Sequence, residues 1–351
     1  MSHCQVVQNG SILEVTLDRP KALNAITIEM IDEIIFQLDR LQQEDHLVGM
    51  VLLGGGGKAF SAGGDVRAVY DDGHQNPHLA PSDQTAQFFL REYQMNLALH
   101  RSEKPVVSLV DGIVMGGGVG LSFHGARAVV TENALFAMPE VAIGFVPDVG
   151  GTYALSHCPG KLGLLLGVTG ARLKGREILD AQLVHGFIQS EHLDVLREKL
   201  SRATSPKNVL EITDAHIDRE RREFPDLSVI DQACQGSMND MAEALKNSEH
   251  PFLQKAYAGL TRGSPLACHV VHKQLTSGLG QNLIDALRLE YRLVVRMLRK
   301  KDFYEGVHAV LVDRSHQPEW LYPSISDVPE SELSDILEPI DLPDWDPDKR
   351  Y

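Results

Sequence analysis

The stretch MPEVAIGFVPDVGG, residues 138–151, sets two acids, Glu140 and Asp148, among Val141, Ala142, Ile143, Phe145, Val146 and Val149. A carboxylate in apolar company must be partnered, turned to solvent or used, because burying an unpaired charge is costly. Used as a pair, two such groups can move protons or attack an electrophilic carbon. On a continuous helix, eight residues of separation would turn them about 80° apart. Pro139, Gly144 and Pro147 argue instead for a looped path that bends both acids towards one pocket. The structural alternatives are plain. Asp148 could cap a helix VGGTYAL, and Glu140 could be a first-turn charge on a helix dipole.

A third acid stands in QFFLREYQMN. With helical spacing Glu92 follows Phe88 and Phe89 by one turn and precedes Met95 and Leu99 on the same face, inside an apolar arc. It is either a partly buried acid paired with an arginine or a pocket acid. His124 and Cys158 read as packing residues. Lys21, Lys58 and Arg67 are candidate cations for an anionic ligand.

Such side chains need a frame, and the first half of the chain alternates strand-like and helix-like signals. ILEVTLDRP reads as a strand. Thr27 is a natural cap for the helix IEMIDEIIFQLDRLQQ, and Ser82 for SDQTAQFFLREYQMNLALH. LVGMVLLGGGG and KPVVSLVDGIVM are buried strands that run into glycines, and RAVVTENALFAMP is a further strand. Strand, glycine turn and helix in repetition indicate an α/β fold with loops gathered at strand ends. From about 190 to 313 strand signals vanish and helices take over. Three regions follow: a core over 1–190, a helical region over 191–320, and a tail over 321–351. The tail holds nine acids, two bases and five prolines, a wrapping or poorly ordered segment.

The glycine clusters fail three motif tests. GGGGKA lacks the first glycine and the Ser/Thr of a phosphate loop. Neither GGGGKAFSAGGD nor GGGVGLS satisfies GxGxxG, and Ser61 in FSAG is not in a GxSxG elbow. Glycine after a strand also lets backbone N–H groups approach a ligand and aim at an oxygen. Two such loops facing each other would form an oxyanion hole, the device of acyl chemistry.

Composition bounds the rest. The 351 residues are 43% hydrophobic and 23% charged, with a net charge of −15. That balance is ordinary for a globular protein and speaks against nucleic acid as a partner. No apolar run approaches the ~18 residues of a membrane span. Cys4, Cys158, Cys234 and Cys268 have no metal-ligand spacing. Reduced thiols and an N-terminus, MSHCQVVQNG, without a targeting pattern lead to the expectation of a cytoplasmic protein.

KAFSAGGD, DGIVMGGGVGLS, FAMPEVAIGFVPDVGGTYAL and GARLKGREILDAQLV, in this order over roughly residues 5–190, resemble the crotonase (enoyl-CoA hydratase/isomerase) superfamily. The resemblance implies a spiral of ββα units followed here by a helical C-terminal region. It also implies an acyl-coenzyme A substrate whose thioester oxygen is held by the N–H groups of Gly64 and Gly117, with no cofactor and no metal, and often a trimer or a hexamer. Hydratases of the family use two glutamates. Glu140 matches one, but the other position is Gly120, whereas Asp148 stands where hydratases have glycine. This exchange, together with FSAGGDVRAVY, FFLREYQMN and KKDFYEGVHAVLVDRSHQPEW, resembles the thioesterase branch, with Glu92 matching a binding-site acid and Thr152 replacing an expected glycine. The implied reaction is hydrolysis of a short-chain 3-hydroxyacyl-CoA, 3-hydroxyisobutyryl-CoA foremost, as in valine catabolism. Glu140 and Asp148 would be catalytic. Enoyl- or dienoyl-CoA isomerase or hydratase chemistry, and acyl-CoA binding without chemistry, are the alternatives.

Overall fold

The computed structural model describes residues 3–73, 84–280 and 282–351. Among the described residues, ten strands form two sheets: β1 (Cys4–Asn9), β2 (Ile12–Leu17), β3 (Gly49–Gly54), β4 (Ala59–Ser61), β5 (Val106–Val110), β6 (Ile113–Met115), β7 (Arg127–Val130), β8 (Leu135–Ala137), β9 (Leu173–Lys174) and β10 (Gly186–Phe187). The larger sheet has the order β1-β2-β3-β5-β7-β10 and the smaller β4-β6-β8-β9. The chain repeats one unit: a strand in the large sheet, a corner, a strand in the small sheet, then helix. Thus β3, β5 and β7 lie parallel in one sheet and β4, β6 and β8 parallel in the other.

Two of the expected strands are therefore pairs. KPVVSLVDGIVM breaks at Gly112, whose φ of +83° turns the chain between sheets. RAVVTENALFAMP breaks where Thr131 and Asn133 donate to the Asp111 carboxylate. Both corners are short, so the apolar run on either side reads as continuous in sequence. Parallel strands covered on both faces lack the alternation that would mark each one.

Helices follow the units. Five of them are α1 (Ile28–Gln43), α2 (Val66–Gly73), α3 (Gln84–Arg101), α4 (Gly117–Phe123) and α5 (Gly151–Ser156), of which α2, α3 and α4 line the site. Thr27 caps α1 as expected, accepting from the Met30 N–H. The cap expected at Ser82 lies outside the described residues. Beyond Phe187 the described chain forms helices without further strands, including Pro265–Thr276 and Leu283–Met297. Leu266, Val270, Leu287 and Val294 of these two helices join the same apolar core as the strands. The acidic tail wraps: Leu333, Ile336 and Trp345 are buried in that core.

Candidate active site

Glu92, Glu140 and Asp148 line one cavity of about 470 Å³, together with Gly63, Gly64, Gly116 and Gly117. All three acids are buried, 2%, 6% and 6% exposed respectively. Phe88, Phe89, Phe145 and Phe303 form its apolar wall, and successive ring centroids lie 5.3–5.9 Å apart. Exposed Lys21, Arg67 and Arg314 stand at its open side. Lys58 does not line it.

The two glycine loops meet. Ile26 exchanges backbone bonds with Gly63 and Asp65, 2.9 and 2.8 Å, which leaves the Gly64 N–H between them free of that pairing. Gly117 opens α4, so no carbonyl of its own helix can accept its N–H. A Cβ on Gly117 would lie 3.0 Å from the Gly64 nitrogen and 2.5 Å from Glu92 Oε1. One on Gly116 would lie 2.9 Å from Glu140 Oε1. The absence of side chains at these glycines is what lets two amides and two carboxylates share so small a space.

Glu140 begins a single 3-10 turn, Glu140–Ile143, so its structural alternative as a first-turn charge is met in part. Its side chain nevertheless faces the cavity. Asp148 is not a helix cap. Gly150 holds that position, and the amides at the start of α5 are taken by Glu290 of Leu283–Met297. The Gly150 and Thr152 N–H groups donate to the Glu290 carboxylate at 2.8 and 2.7 Å. A glutamate from a remote helix reaches both amides because Val149 and Gly150 take left-handed φ values of +54° and +80°. Gln274 adds a bond to the Pro147 carbonyl, and His124 Nε2 one to the Val149 carbonyl, each 2.7 Å. Burial pushes the His124 ring down to about 4, so it is neutral and donates from Nε2. With its backbone held on all sides, the loop aims the Asp148 carboxylate at the Tyr93 hydroxyl, which donates to it at 2.9 Å. Thr152 accepts from Gln274 and faces away from the cavity lining, so its departure from glycine serves the loop.

Among the described residues Glu92 has no arginine partner; the neighbouring Arg91 pairs with Asp32. Among the described residues, Glu92 Oε1, Glu140 Oε2 and both polar side-chain atoms of Asn96 are buried without a hydrogen-bond partner. Burial first, and then the Asp148 charge, holds Glu92 and Glu140 well above the usual carboxylate range. Burial raises Asp148 too, to about 7, with the Tyr93 hydroxyl pulling it back. These acids cannot all be ionised at once, so the site holds both a carboxylate and a carboxylic acid near neutrality. That mixture is what acid–base and nucleophilic chemistry on an acyl group requires.

Gly120 points elsewhere. A Cβ there would meet the Val149 Cβ at 2.5 Å and the Asn96 Nδ2 at 2.9 Å. No side chain can project from 120 without displacing the loop that carries Asp148. Gly120→Ala is expected to cost about 1–3 kcal/mol through overpacking, read as a lowered midpoint of denaturation; an unchanged midpoint would show that the loop yields freely.

Tyr93, Asn96, Glu290 and Arg314 complete the site without having been expected from the sequence. For Glu290 a signal exists: it lies one turn from Leu287 and Leu293 within an apolar helix face, the same pattern that marks Glu92.

Residues 12–337 match the family model described as Enoyl-CoA hydratase/isomerase. A Gallus gallus protein, 3-hydroxyisobutyryl-CoA hydrolase, mitochondrial, is 38% identical over 341 residues, covering 93% of this chain and 86% of its own. The Homo sapiens protein of the same name is 38% identical over 330 residues, covering 91% and 84%. Among solved structures, a carnitinyl-CoA dehydratase from Mycobacterium thermoresistibile superposes with a TM-score of 0.89 at 32% identity, covering 100% of both chains. The curated relatives are named as mitochondrial, which overturns the expected cytoplasmic location. The physical reason is that reduced thiols and ordinary composition suit any reducing compartment and separate none of them.

Proposed function

The chain belongs to the enoyl-CoA hydratase/isomerase family, and from that membership we infer that it hydrolyses 3-hydroxyisobutyryl-CoA to 3-hydroxyisobutyrate and coenzyme A. A mitochondrial setting and a place in valine breakdown go with this reading. The observation that carries it is the exchange of acids: no room for a carboxyl at Gly120, and a buried carboxyl at Asp148 in the same cavity as Glu140. Hydration of a double bond in the family's manner needs a second glutamate where Gly120 stands. Asn96 and Val149 fill that space.

The thioester oxygen sits between the Gly64 and Gly117 N–H groups, which stabilise the negative charge that develops on it. With the pair's shared proton moved from Glu140 to Asp148, a Glu140 carboxylate oxygen bonds to the thioester carbon. The C–S bond breaks, and the sulfur leaves with the electron pair and takes a proton from Asp148. Water then adds to the resulting anhydride while the Asp148 carboxylate accepts its proton, and the bond to Glu140 breaks to release the hydroxy acid. Direct attack by a water that Glu140 deprotonates reaches the same products. Glu92 and Asp148 receive the substrate's 3-hydroxyl, and Lys21, Arg67 and Arg314 meet the anionic coenzyme A tail. Each route needs one proton and one negative charge on the Glu140/Asp148 pair.

Release of free coenzyme A from a panel of 3-hydroxyacyl thioesters, with crotonyl-CoA beside it, tests the assignment. 3-Hydroxyisobutyryl-CoA is expected to be cleaved and crotonyl-CoA to be left unhydrated. Activity should fall as pH drops through about 7, because Asp148 is raised to that value and the pair then gains its second proton. An acid limb in the ordinary carboxylate range, near 4, would contradict the shared-proton state.

A further inference from the structure

The tail returns to the active site from behind. Trp345, 2% exposed, donates its indole Nε1–H to the Leu90 carbonyl of α3 at 3.3 Å. Its ring stands edge-on to Tyr93, centroids 6.4 Å apart at 73°. Tyr93 is fully buried and gives its hydroxyl to Asp148. The segment around Trp345 is fastened at both ends of this contact. Arg292 donates two bonds to the Asp344 carboxylate, 2.8 and 2.6 Å, and the Tyr351 N–H donates to Gln94 Oε1 at 3.2 Å. Further back, Arg299 pairs with Asp341 and Lys300 with Glu332. The tail's acids thus have specific basic partners on the helical region, and its deeply buried indole meets the phenol that holds Asp148.

We propose that the acidic C-terminal segment is a working part of the active site, in which Trp345 fixes the Tyr93 ring so that its hydroxyl keeps the Asp148 carboxylate in place for proton transfer. Trp345 and Tyr93 are positioning residues, and their role rests on Asp148 being the acid–base partner of Glu140. An aromatic ring walled on one side only can tilt into any space left beside it. Removing the indole opens such a space beside the Tyr93 ring.

The groups facing Asp148 define what its loss would do. Glu92 and Tyr93 come from α3, Glu140 from the turn before the loop, and Glu290 from Leu283–Met297; neutral His124 holds the adjoining Val149 carbonyl. Burial favours a protonated Asp148, and its charge in turn raises the three carboxyls. Of these groups, the Tyr93 hydroxyl is the one that favours the carboxylate. Loosening Tyr93 must therefore move the acid limb of turnover to higher pH.

The test is the pH profile of kcat, with KM, on 3-hydroxyisobutyryl-CoA for Tyr93→Phe, Trp345→Ala, Trp345→Phe and the double variant Tyr93→Phe/Trp345→Ala. Tyr93→Phe is expected to lower kcat roughly tenfold, the loss of one hydrogen bond to a charged group, and to raise the acid limb by about one pH unit, with KM little changed. Trp345→Ala should shift the limb in the same direction, and Trp345→Phe, which keeps a ring against Tyr93, should restore it. In the Tyr93→Phe background, Trp345→Ala should add no further shift. An equal shift in both backgrounds, or wild-type profiles in Tyr93→Phe and Trp345→Ala while Asp148→Asn is inactive, would overturn the proposal and leave the catalytic assignment intact. Wild-type turnover by Asp148→Asn would remove the assignment itself. Should Trp345→Ala not fold, Asp344→Asn releases the Arg292 clasp and carries the same comparison.

Discussion

Glu140→Gln and Asp148→Asn are each expected to slow hydrolysis of 3-hydroxyisobutyryl-CoA by about 10³-fold, within the range for loss of a positioned acid–base group. Both substitutions keep shape and volume, so the loss should fall on kcat. The amide introduced by Glu140→Gln could neither bond to the thioester carbon nor take a proton from water. The amide introduced by Asp148→Asn could still accept from Tyr93 but could not protonate the departing sulfur. Stability should move the other way for Glu140→Gln. The Glu140 carboxyl is held well above its ordinary range by burial and by Asp148, so the folded protein binds a proton that the unfolded chain releases. By linkage, such a group contributes stability below about pH 4, its unfolded pKa, which is lost as pH rises towards the folded value. A neutral amide has no such term, and the variant should melt at or above the wild-type temperature at pH 8. Retention of wild-type rates by both variants would mean that the two acids are not the reacting pair.

Gly117→Ala should be nearly as damaging, a loss of about 10²–10³ in kcat, the usual cost of an oxyanion donor. The added methyl would lie 2.5 Å from Glu92 Oε1 and 3.0 Å from the Gly64 nitrogen. Glu92 is buried against Phe88 and Phe89 and cannot swing out to solvent. Relief therefore comes by parting the two loops, which would move both amides off the oxygen they are proposed to share. The backbone φ at 117 is not left-handed, so the conformation adds no strain, and overpacking alone should lower stability by about 1–3 kcal/mol, as at Gly120. A full-rate Gly117→Ala enzyme would show that the amides do not hold the thioester oxygen.

Much of the site is legible in the sequence. Glu140 and Asp148 stand out as acids in an apolar run, and the doubled glycine loops suggest backbone donors at strand ends. Glu92 stands out from helical spacing alone. The alternatives beside them cannot be decided locally. Whether Asp148 caps a helix depends on Glu290 occupying those amides from 140 residues away. Whether Glu92 has an arginine depends on Arg91 turning to Asp32. The corners at Gly112 and Thr131 leave no mark because a change of sheet keeps the hydrophobic run unbroken.

By itself the sequence determined the alternation of strand and helix, the glycines where backbones must pass closely, and which acids had no local partner. These follow from steric freedom and periodicity, properties of neighbours along the chain. Only the tertiary structure decided that Asp148 meets Tyr93 from 55 residues away, that Trp345 backs Tyr93, and that Gly120 has no room for a side chain. Those outcomes are set by burial and by contacts between distant segments. Desolvation and hydrogen bonding depend on what surrounds an atom in space, and sequence spacing records that only where the chain is locally regular.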